Sequence, residues 1–500
     1  MSQPSPVVAI IGAGIAGLAA AFFLRDEPVQ VILVDGAPRV GGKLAVADVA
    51  GARLDVGAEA LLARRPEGTG LIQAAGLGGD LVEPGTTAAR IWSRGGLHPL
   101  PARQFMGVPA DIGELGRTGL LSADGLARAA REPQLPATAR DGDVPVAGYI
   151  GARFGPELVD RLVDPVLGGV YAGRSADLSF EATLPALAAA SGRHASLTEA
   201  AASLLPAPLA TPAPGAGPAG DGARRPPVFT TLRGGLGTLP PALAAASGAQ
   251  LRTSAMVRGL VPTARGWRLT VGSAHAPRWL DADAVILALP GRPASRLLGG
   301  VPGAAAAAAA FAEISYASMA IVTLAYPAAA FPRLPDSSGY LVPAVDGHPV
   351  KAVTFSSVKW PHLRRGADGL IFVRCSVGRI GEEAVLQRDD ADLATLAAAD
   401  LAAATGVRGA PAGRLVTRWG GALPQYTVGH AGRVARIQAS LASQPRLAAC
   451  GAAFAGVGIP ACVATARDAV GQILAGLRVA GPAAVGSTRP VADNRGHGSN

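Results

Sequence analysis

Between Val7 and Asp35 the chain reads V-V-A-I-I-G-A-G-I-A-G-L-A-A-A-F-F-L, breaks at Arg25-Asp26-Glu27-Pro28, and resumes as Val29-Gln30-Val31-Ile32-Leu33-Val34 before ending on Asp35. β-Branched residues ahead of Gly12 suit a buried parallel strand. Ala, Leu and Phe after Gly17 suit a helix, so the three glycines fall at the turn between them. Gly12 permits the tight turn, Gly14 lets backbone approach a pyrophosphate, and Gly17 brings helix against strand. The free N–H groups of the helix start, at Ile15 and Ala16, face the anion. Asp35, about twenty residues on at the end of the second strand, is placed to accept hydrogen bonds from a ribose hydroxyl. Val7–Leu24 carries no charge and is nearly long enough for a membrane span or a signal sequence. No basic segment leads into it, the glycines keep motif spacing and a second strand follows at once, so a dinucleotide-binding βαβ unit is predicted.

Five hundred residues suffice for two or three domains, and 49% hydrophobic residues mark a globular chain. The formal charge of +9 is scattered and forms no dense patch, which argues against nucleic acid and leaves an anionic substrate or membrane surface compatible. Lys43, Lys351 and Lys359 are the only lysines; arginine supplies the other cations in an Ala-, Gly- and Pro-rich chain, a pattern of GC-rich coding. Cys375, Cys450 and Cys462 form no C-x-x-C pair, so neither a disulfide framework nor a zinc site is expected, and a reducing cytoplasm is. The histidines show no H-x-H or H-E-x-x-H grouping and no metal is expected; no G-x-S-x-G elbow appears.

After Asp35 comes a second glycine-rich, basic turn, Gly36-Ala37-Pro38-Arg39-Val40-Gly41-Gly42-Lys43, leading to Arg53-Leu54-Asp55-Val56-Gly57-Ala58-Glu59. These stretches resemble the amine-oxidase-like flavoproteins, in which a dinucleotide fold and an R-x-G-G turn both hold FAD. The resemblance implies an α/β fold: an FAD-binding Rossmann-like domain of the amine-oxidase/p-hydroxybenzoate-hydroxylase type, a mixed-sheet substrate domain and a helical lobe. It adds Gly36, Arg39, Gly41, Gly42, Lys43, Gly57 and Ala58 to the cofactor contacts, with the backbone at Val257 meeting the adenine. Asp35 stands where the family has Glu. Ala58-Glu59-Ala60-Leu61 replaces Pro, Asp or Asn, Ser and Phe, and Ala464-Thr465-Ala466 replaces a Ser-Gly neighbourhood.

Four further stretches resemble one branch, the protoporphyrinogen/coproporphyrinogen oxidases of haem synthesis: Leu167–Gly173, Lys359–His362, Arg418–His430 and Gly451–Cys462. Each has an ordinary structural reading: Gly168-Gly169 can end a helix, Trp360-Pro361 can turn a loop, and Tyr171, Tyr426 and His430 can pack. Gly451, Val457, Gly458 and Ile459 lie where a loop before a helix offers close backbone and N–H donors to a flavin. The branch, and within it the soluble bacterial coproporphyrinogen oxidases, implies six-electron oxidation of coproporphyrinogen III to coproporphyrin III, with oxygen as acceptor and hydrogen peroxide as product. Protoporphyrinogen is the alternative substrate; a carotenoid desaturase, an amine oxidase or a non-redox lipid escort of the same fold are more distant alternatives. Hydride transfer to flavin N5 leaves the hard step to the cofactor, so no general base is named. Propionates call for cations at the rim of an apolar cavity. Arg65 comes first, then Lys359, with Arg64, Tyr171, Arg174 and His430 as further substrate contacts. A downstream chelatase and a peripheral membrane contact are compatible partners.

The expected order is FAD-binding 1–85, substrate domain 86–100, helical lobe 101–205, a flexible Pro/Gly/Ala-rich insertion 206–227, FAD-binding 228–292, substrate domain 293–430, FAD-binding 431–480 and a disordered tail 481–500. Helices are expected at 70–81, 146–155, 157–166, 392–404, 432–442 and 462–477. Strands are expected at 88–92, 251–257, 267–271, 284–289, 314–326, 339–343, 352–357 and 370–377, and 447–451 reads as a strand feeding a loop.

Overall fold

The computed structural model describes residues 5–206, 227–364 and 369–479. Residues 207–226 of the expected insertion and the tail 481–500 lie outside them.

A five-stranded parallel sheet has the order Gln250–Arg252, Gln30–Val34, Val7–Ile11, Ala284–Leu287, Leu447–Ala449. Its strands come from three widely separated parts of the chain, because side-by-side parallel strands need crossovers and not hairpins. Alternation places Val8, Ile10 and Leu33 on one face and Ala9, Ile11 and Val34 on the other. The first face buries the helix Ile15–Phe23, whose residues Ala16–Phe22 are all buried, against the helices Leu239–Ala246 and Ile459–Val479. The second packs on an antiparallel sheet of Val257–Thr263, Gly266–Gly272 and Pro277–Ala282 through Trp267 and Leu269.

A second sheet has seven strands in the order Gly413–Pro424, Tyr316–Pro327, Leu370–Val377, Val350–Phe355, Gly339–Leu341, Arg90–Ser93, Gly96–Pro99. It is antiparallel except where Gly339–Leu341 runs parallel to Arg90–Ser93. The helix Asp390–Thr405, capped by Asp389, covers one face through Leu393, Ala397 and Leu401. The opposite face carries Arg374 and turns toward a helical lobe, where Leu341 meets Gly169.

That lobe centres on the helices Val146–Phe154 and Asp164–Tyr171, and buries its own core of Ile150, Phe154, Leu162, Leu167 and Phe180. Glu132, fully buried, accepts from Ser196 Oγ (2.7 Å), Leu197 N (2.6 Å), Thr198 Oγ1 (2.8 Å) and Arg153 Nε, tying three segments together.

Several expectations shift. The helix expected at 70–81 is Pro66–Ala74 followed by a short 3₁₀ turn at Gly78–Asp80, because Gly76, at φ +80°, ends the first. The helix expected at 157–166 is interrupted by a π-turn at Val159–Val163. The helices Gly291–Leu298 and Ala305–Ala312 and the twelve-residue strand Gly413–Pro424 carried no legible signal.

Candidate active site

Three pieces of backbone are stitched into one floor. Gly14 bridges Gly41, Gly41 N donates to Ala13 O at 2.7 Å, and a side chain on Gly42 would lie 3.3 Å from Gly14 Cα. Ala58 N donates to Lys43 O at 3.1 Å, and a Cβ on Gly57 would sit 1.9 Å from that same oxygen. The floor therefore runs from Asp35 through the Gly14 and Gly41–Lys43 turns to Gly57–Ala58, and only small residues allow the pieces to touch. Gly12, at φ +107°, and Gly17 do for the first turn what the sequence requires: a Cβ on Gly17 would lie 1.8 Å from Gly12 O.

Beside Gly14 the geometry differs. A Cβ there would meet nothing within 4 Å, so the space above it is open. The helix Ile15–Phe23 begins at that point with neither a side-chain cap nor an acidic residue in its first turn. The helix Ile459–Val479, preceded by Gly456-Val457-Gly458, also has no acidic residue in its first turn. The two helices pack together, and Gly451 lies over Ala16 with 3.7 Å from its would-be Cβ to the Ala16 Cβ. Uncapped N–H groups and the positive ends of two helix dipoles thus converge on one trench, an arrangement suited to a diphosphate.

At one end of the trench Asp35 accepts from Ala13 N (2.6 Å) and Ala37 N (2.7 Å), which fixes its carboxylate at the strand terminus. Ala255 N donates to Asp35 O and Gly36 faces Met256, so the segment entering Val257 covers this end. Lys43 is half-buried, and burial lowers its pKa, with Cys462 opposing. The Arg39 guanidinium binds the carbonyls of Val40, Gly42 and Leu44 and so braces the R-x-G-G turn.

The other end of the trench meets aromatic residues. Tyr426 donates to Ala452 O (2.7 Å) and accepts from Gly456 N (2.8 Å), which joins the Pro424–His430 motif to the Gly456 loop as one hydrogen-bonded unit. Tyr171 lies 5.6 Å away, centroid to centroid, and burial pushes its hydroxyl up to about 12, so both rings are neutral and apolar. Thr465, part of a departure noted in the sequence, accepts from Gly451 N at 3.0 Å and fixes that loop.

The cationic candidates separate. Arg64 and Arg65 are exposed, and Arg65 pairs with Glu67 at 2.7 Å. Arg174 is exposed and lies 3.5 Å from Glu382. Two of the expected substrate contacts are held inside the protein. His430 is 2% exposed, stacks on Tyr426 at 3.8 Å, and burial lowers its pKa to about 4. Lys359 presents no free ammonium, because Glu59 holds it at 2.8 Å. Sequence reasoning also missed Arg374, which donates to Gly57 O and pairs with Glu59, and Trp419, whose Nε1 donates to Val56 O at 2.9 Å. Arg374 carries no local motif, and Trp419 lies within the Arg418–His430 stretch without a role assigned to it; the sheet register brings both to the Val56–Glu59 strip.

A glycine floor with open space above Gly14, two helix starts free of acidic residues and a terminal carboxylate fit FAD, whose diphosphate and ribose need those groups. The fold and site thus define a dinucleotide-binding oxidoreductase built on a five-stranded parallel and a seven-stranded mixed sheet with a helical lobe. Residues 15–474 match the flavin-containing amine oxidoreductase family, and the chain belongs to it as an FAD-dependent oxidase. It is 37% identical to the coproporphyrinogen III oxidase of Mycobacterium tuberculosis, over 94% of this chain and 97% of that one. To the coproporphyrinogen III oxidase of Bacillus subtilis it is 31% identical, over 95% and 99%. A solved structure from Exiguobacterium sp. 255-15, provisionally assigned as a protoporphyrinogen oxidase, superposes with a TM-score of 0.81 at 28% identity, covering 95% of this chain and all of that one.

Proposed function

We propose that this chain oxidises coproporphyrinogen III to coproporphyrin III in haem synthesis, removing six electrons in two-electron steps, with molecular oxygen as acceptor and hydrogen peroxide as product. The observation that carries this reading is the Tyr426–Gly456 hydrogen bond, which ties the Arg418–His430 stretch to the Gly456 loop in a chain 37% identical to a coproporphyrinogen III oxidase. Bound FAD supplies the hydride acceptor.

The chain's own residues hold and orient. Gly12, Gly14, Gly17 and the N–H groups at Ile15, Ala16 and Ile459 receive the diphosphate; Asp35 and Gly36 hold the ribose, and Val257 the adenine. Gly41, Gly42, Lys43, Gly57, Ala58, Gly451, Val457 and Gly458 approach the ring with backbone or short side chains, while Arg39 keeps the turn rigid. Tyr171, backed by the buried ring of Tyr426, gives the tetrapyrrole an apolar surface, and Arg64, Arg65 and Arg174 take its propionates, a task suited to the guanidinium fork. His430, neutral and stacked, supports Tyr426.

In this reading residues 1–85, 228–292 and 431–480 form the FAD domain, 86–100 and 293–430 the substrate domain, and 101–205 the helical lobe. A metal-inserting chelatase consumes the porphyrin. The setting is cytoplasmic, with a peripheral membrane contact; among the described residues no helix is long and apolar enough to cross a membrane.

The test is an aerobic fluorescence assay that supplies coproporphyrinogen III and protoporphyrinogen IX to the purified flavoprotein. Faster porphyrin formation from coproporphyrinogen supports the reading. The reverse preference would establish the second reading, protoporphyrinogen oxidation, which the likeness to the Exiguobacterium structure favours.

A further inference from the structure

Beside the Val56–Glu59 strip three charged side chains from distant segments meet. Glu59 accepts from Lys359 Nζ at 2.8 Å and pairs with Arg374 Nη1 at 2.5 Å, while Arg374 Nη2 donates to Gly57 O. Their side chains keep only 12, 17 and 8% exposure, so water screens them poorly. Burial opposes ionisation of Glu59, but Lys359 and Arg374 overcome it and bring its pKa down to about 2. The cluster thus places two cations and one carboxylate against the strip that forms the trench floor. Asp55 lines the same cavity and interacts electrostatically with Arg374 and Glu59, while the amides of Leu236 (2.9 Å) and Gly237 (3.0 Å) donate to its carboxylate.

We propose that the charge carried by Glu59, Lys359 and Arg374 tunes the balance between the reduced and oxidised states of bound FAD, which makes them positioning residues that set its redox potential. Hydride transfer breaks a substrate C–H bond and delivers two electrons and one proton to the flavin; the substrate carbon is oxidised and the ring gains one negative charge. Each positive charge added nearby stabilises that negative charge, and each one removed destabilises it. The inference rests on FAD lying in the trench and not on which tetrapyrrole is oxidised.

Glu59→Gln adds one positive charge to the cluster, Lys359→Gln removes one, and the double variant leaves the total unchanged. The midpoint potential of each holoenzyme is measured anaerobically against reference dyes, without porphyrinogen. E59Q is expected to shift the potential upward and K359Q downward, each by the equivalent of about a tenfold change in preference, about 30 mV for a two-electron couple. The double variant returns close to wild type. Shifts of the same sign in both single variants, no shift in either, or a double variant further from wild type than either single would overturn the proposal, since those are the marks of packing and not of charge. If the single variants lose FAD, the charge-conserving double decides: wild-type potential supports the proposal, and loss of FAD there as well overturns it. Failure to oxidise coproporphyrinogen would bear only on the substrate reading.

Discussion

The outer and inner ends of the trench are built from different materials. From Asp35 to Lys43 the site is backbone: N–H groups, a glycine floor and one carboxylate, all within a short span of chain. From Gly57 inward it is side chains, with Glu59, Lys359, Arg374, Trp419, Tyr171, Tyr426 and His430 drawn from widely spaced segments. A backbone-built site depends on side chains being absent, so a substitution fails by intrusion. A site built of side chains depends on partners, so a substitution fails by orphaning one.

The largest effect should separate Gly17 from Gly14. Gly17→Val drives Cβ into Gly12 O, and we expect no folded protein, read as loss of soluble, FAD-bearing chain. Gly14, at φ −72°, has open space, so Gly14→Ala should keep the melting temperature of the apoprotein while weakening FAD at least tenfold in a binding titration. Equal loss in both variants would break the distinction between a structural and a ligand-facing glycine.

Next comes the partner-dependent kind. Glu132→Gln removes the charge facing buried Arg153 and should cost about 3–5 kcal/mol in denaturant unfolding, the usual result of leaving one member of a buried pair. A change below about 1 kcal/mol would show that the lobe does not need this pair.

His430 has a folded pKa of about 4, below its ordinary 6.5, so the unfolded chain binds the extra proton first as pH falls. Its contribution is complete above pH 6.5, is lost progressively toward pH 4 and is flat below that. A shift of that size corresponds to at most about 3 kcal/mol. His430→Phe should therefore flatten the stability profile between those limits, measured by denaturant unfolding across pH. Asp55, raised to about 6 chiefly by burial, works with the opposite sign: its contribution falls as pH rises from 3.8 to 6.

The smallest effect is expected at the rim. Arg65 keeps 45% side-chain exposure and already pairs with Glu67. Arg65→Ala should raise KM for coproporphyrinogen by no more than about tenfold with kcat little changed, because a solvated ion pair contributes about 1 kcal/mol or less. An unchanged KM would remove Arg65 from the propionate site.

The difference between the two ends also explains what could be read in advance. The Val7–Asp35 unit and the glycine turn at Gly41 were legible because strand period, helix composition and glycine spacing are local properties, and the FAD site there is assembled from local backbone. The family resemblance added the Tyr426 and Gly456 motifs, but their mutual hydrogen bond was not visible in either stretch. Lys359 attracted a substrate role because it is rare in an arginine-rich chain; rarity says nothing about whether a carboxylate waits across the fold. Glu59 looked like a departure from a pattern and proved to be the anion that Lys359 and Arg374 share. The strand Gly413–Pro424 escaped notice because its outward residues are polar and glycines interrupt its alternation.

What the chain determined by itself was the nucleotide-gripping unit, since steric permission at Gly12, Gly14 and Gly17 and a carboxylate at Asp35 are written residue by residue. Tertiary structure alone decided the charge and polarity at the inner end: which cation is neutralised, which tyrosine is buried and which imidazole stays uncharged. Those properties follow from distance and desolvation between segments up to hundreds of residues apart, and neither quantity exists until the two sheets and the helical lobe have packed.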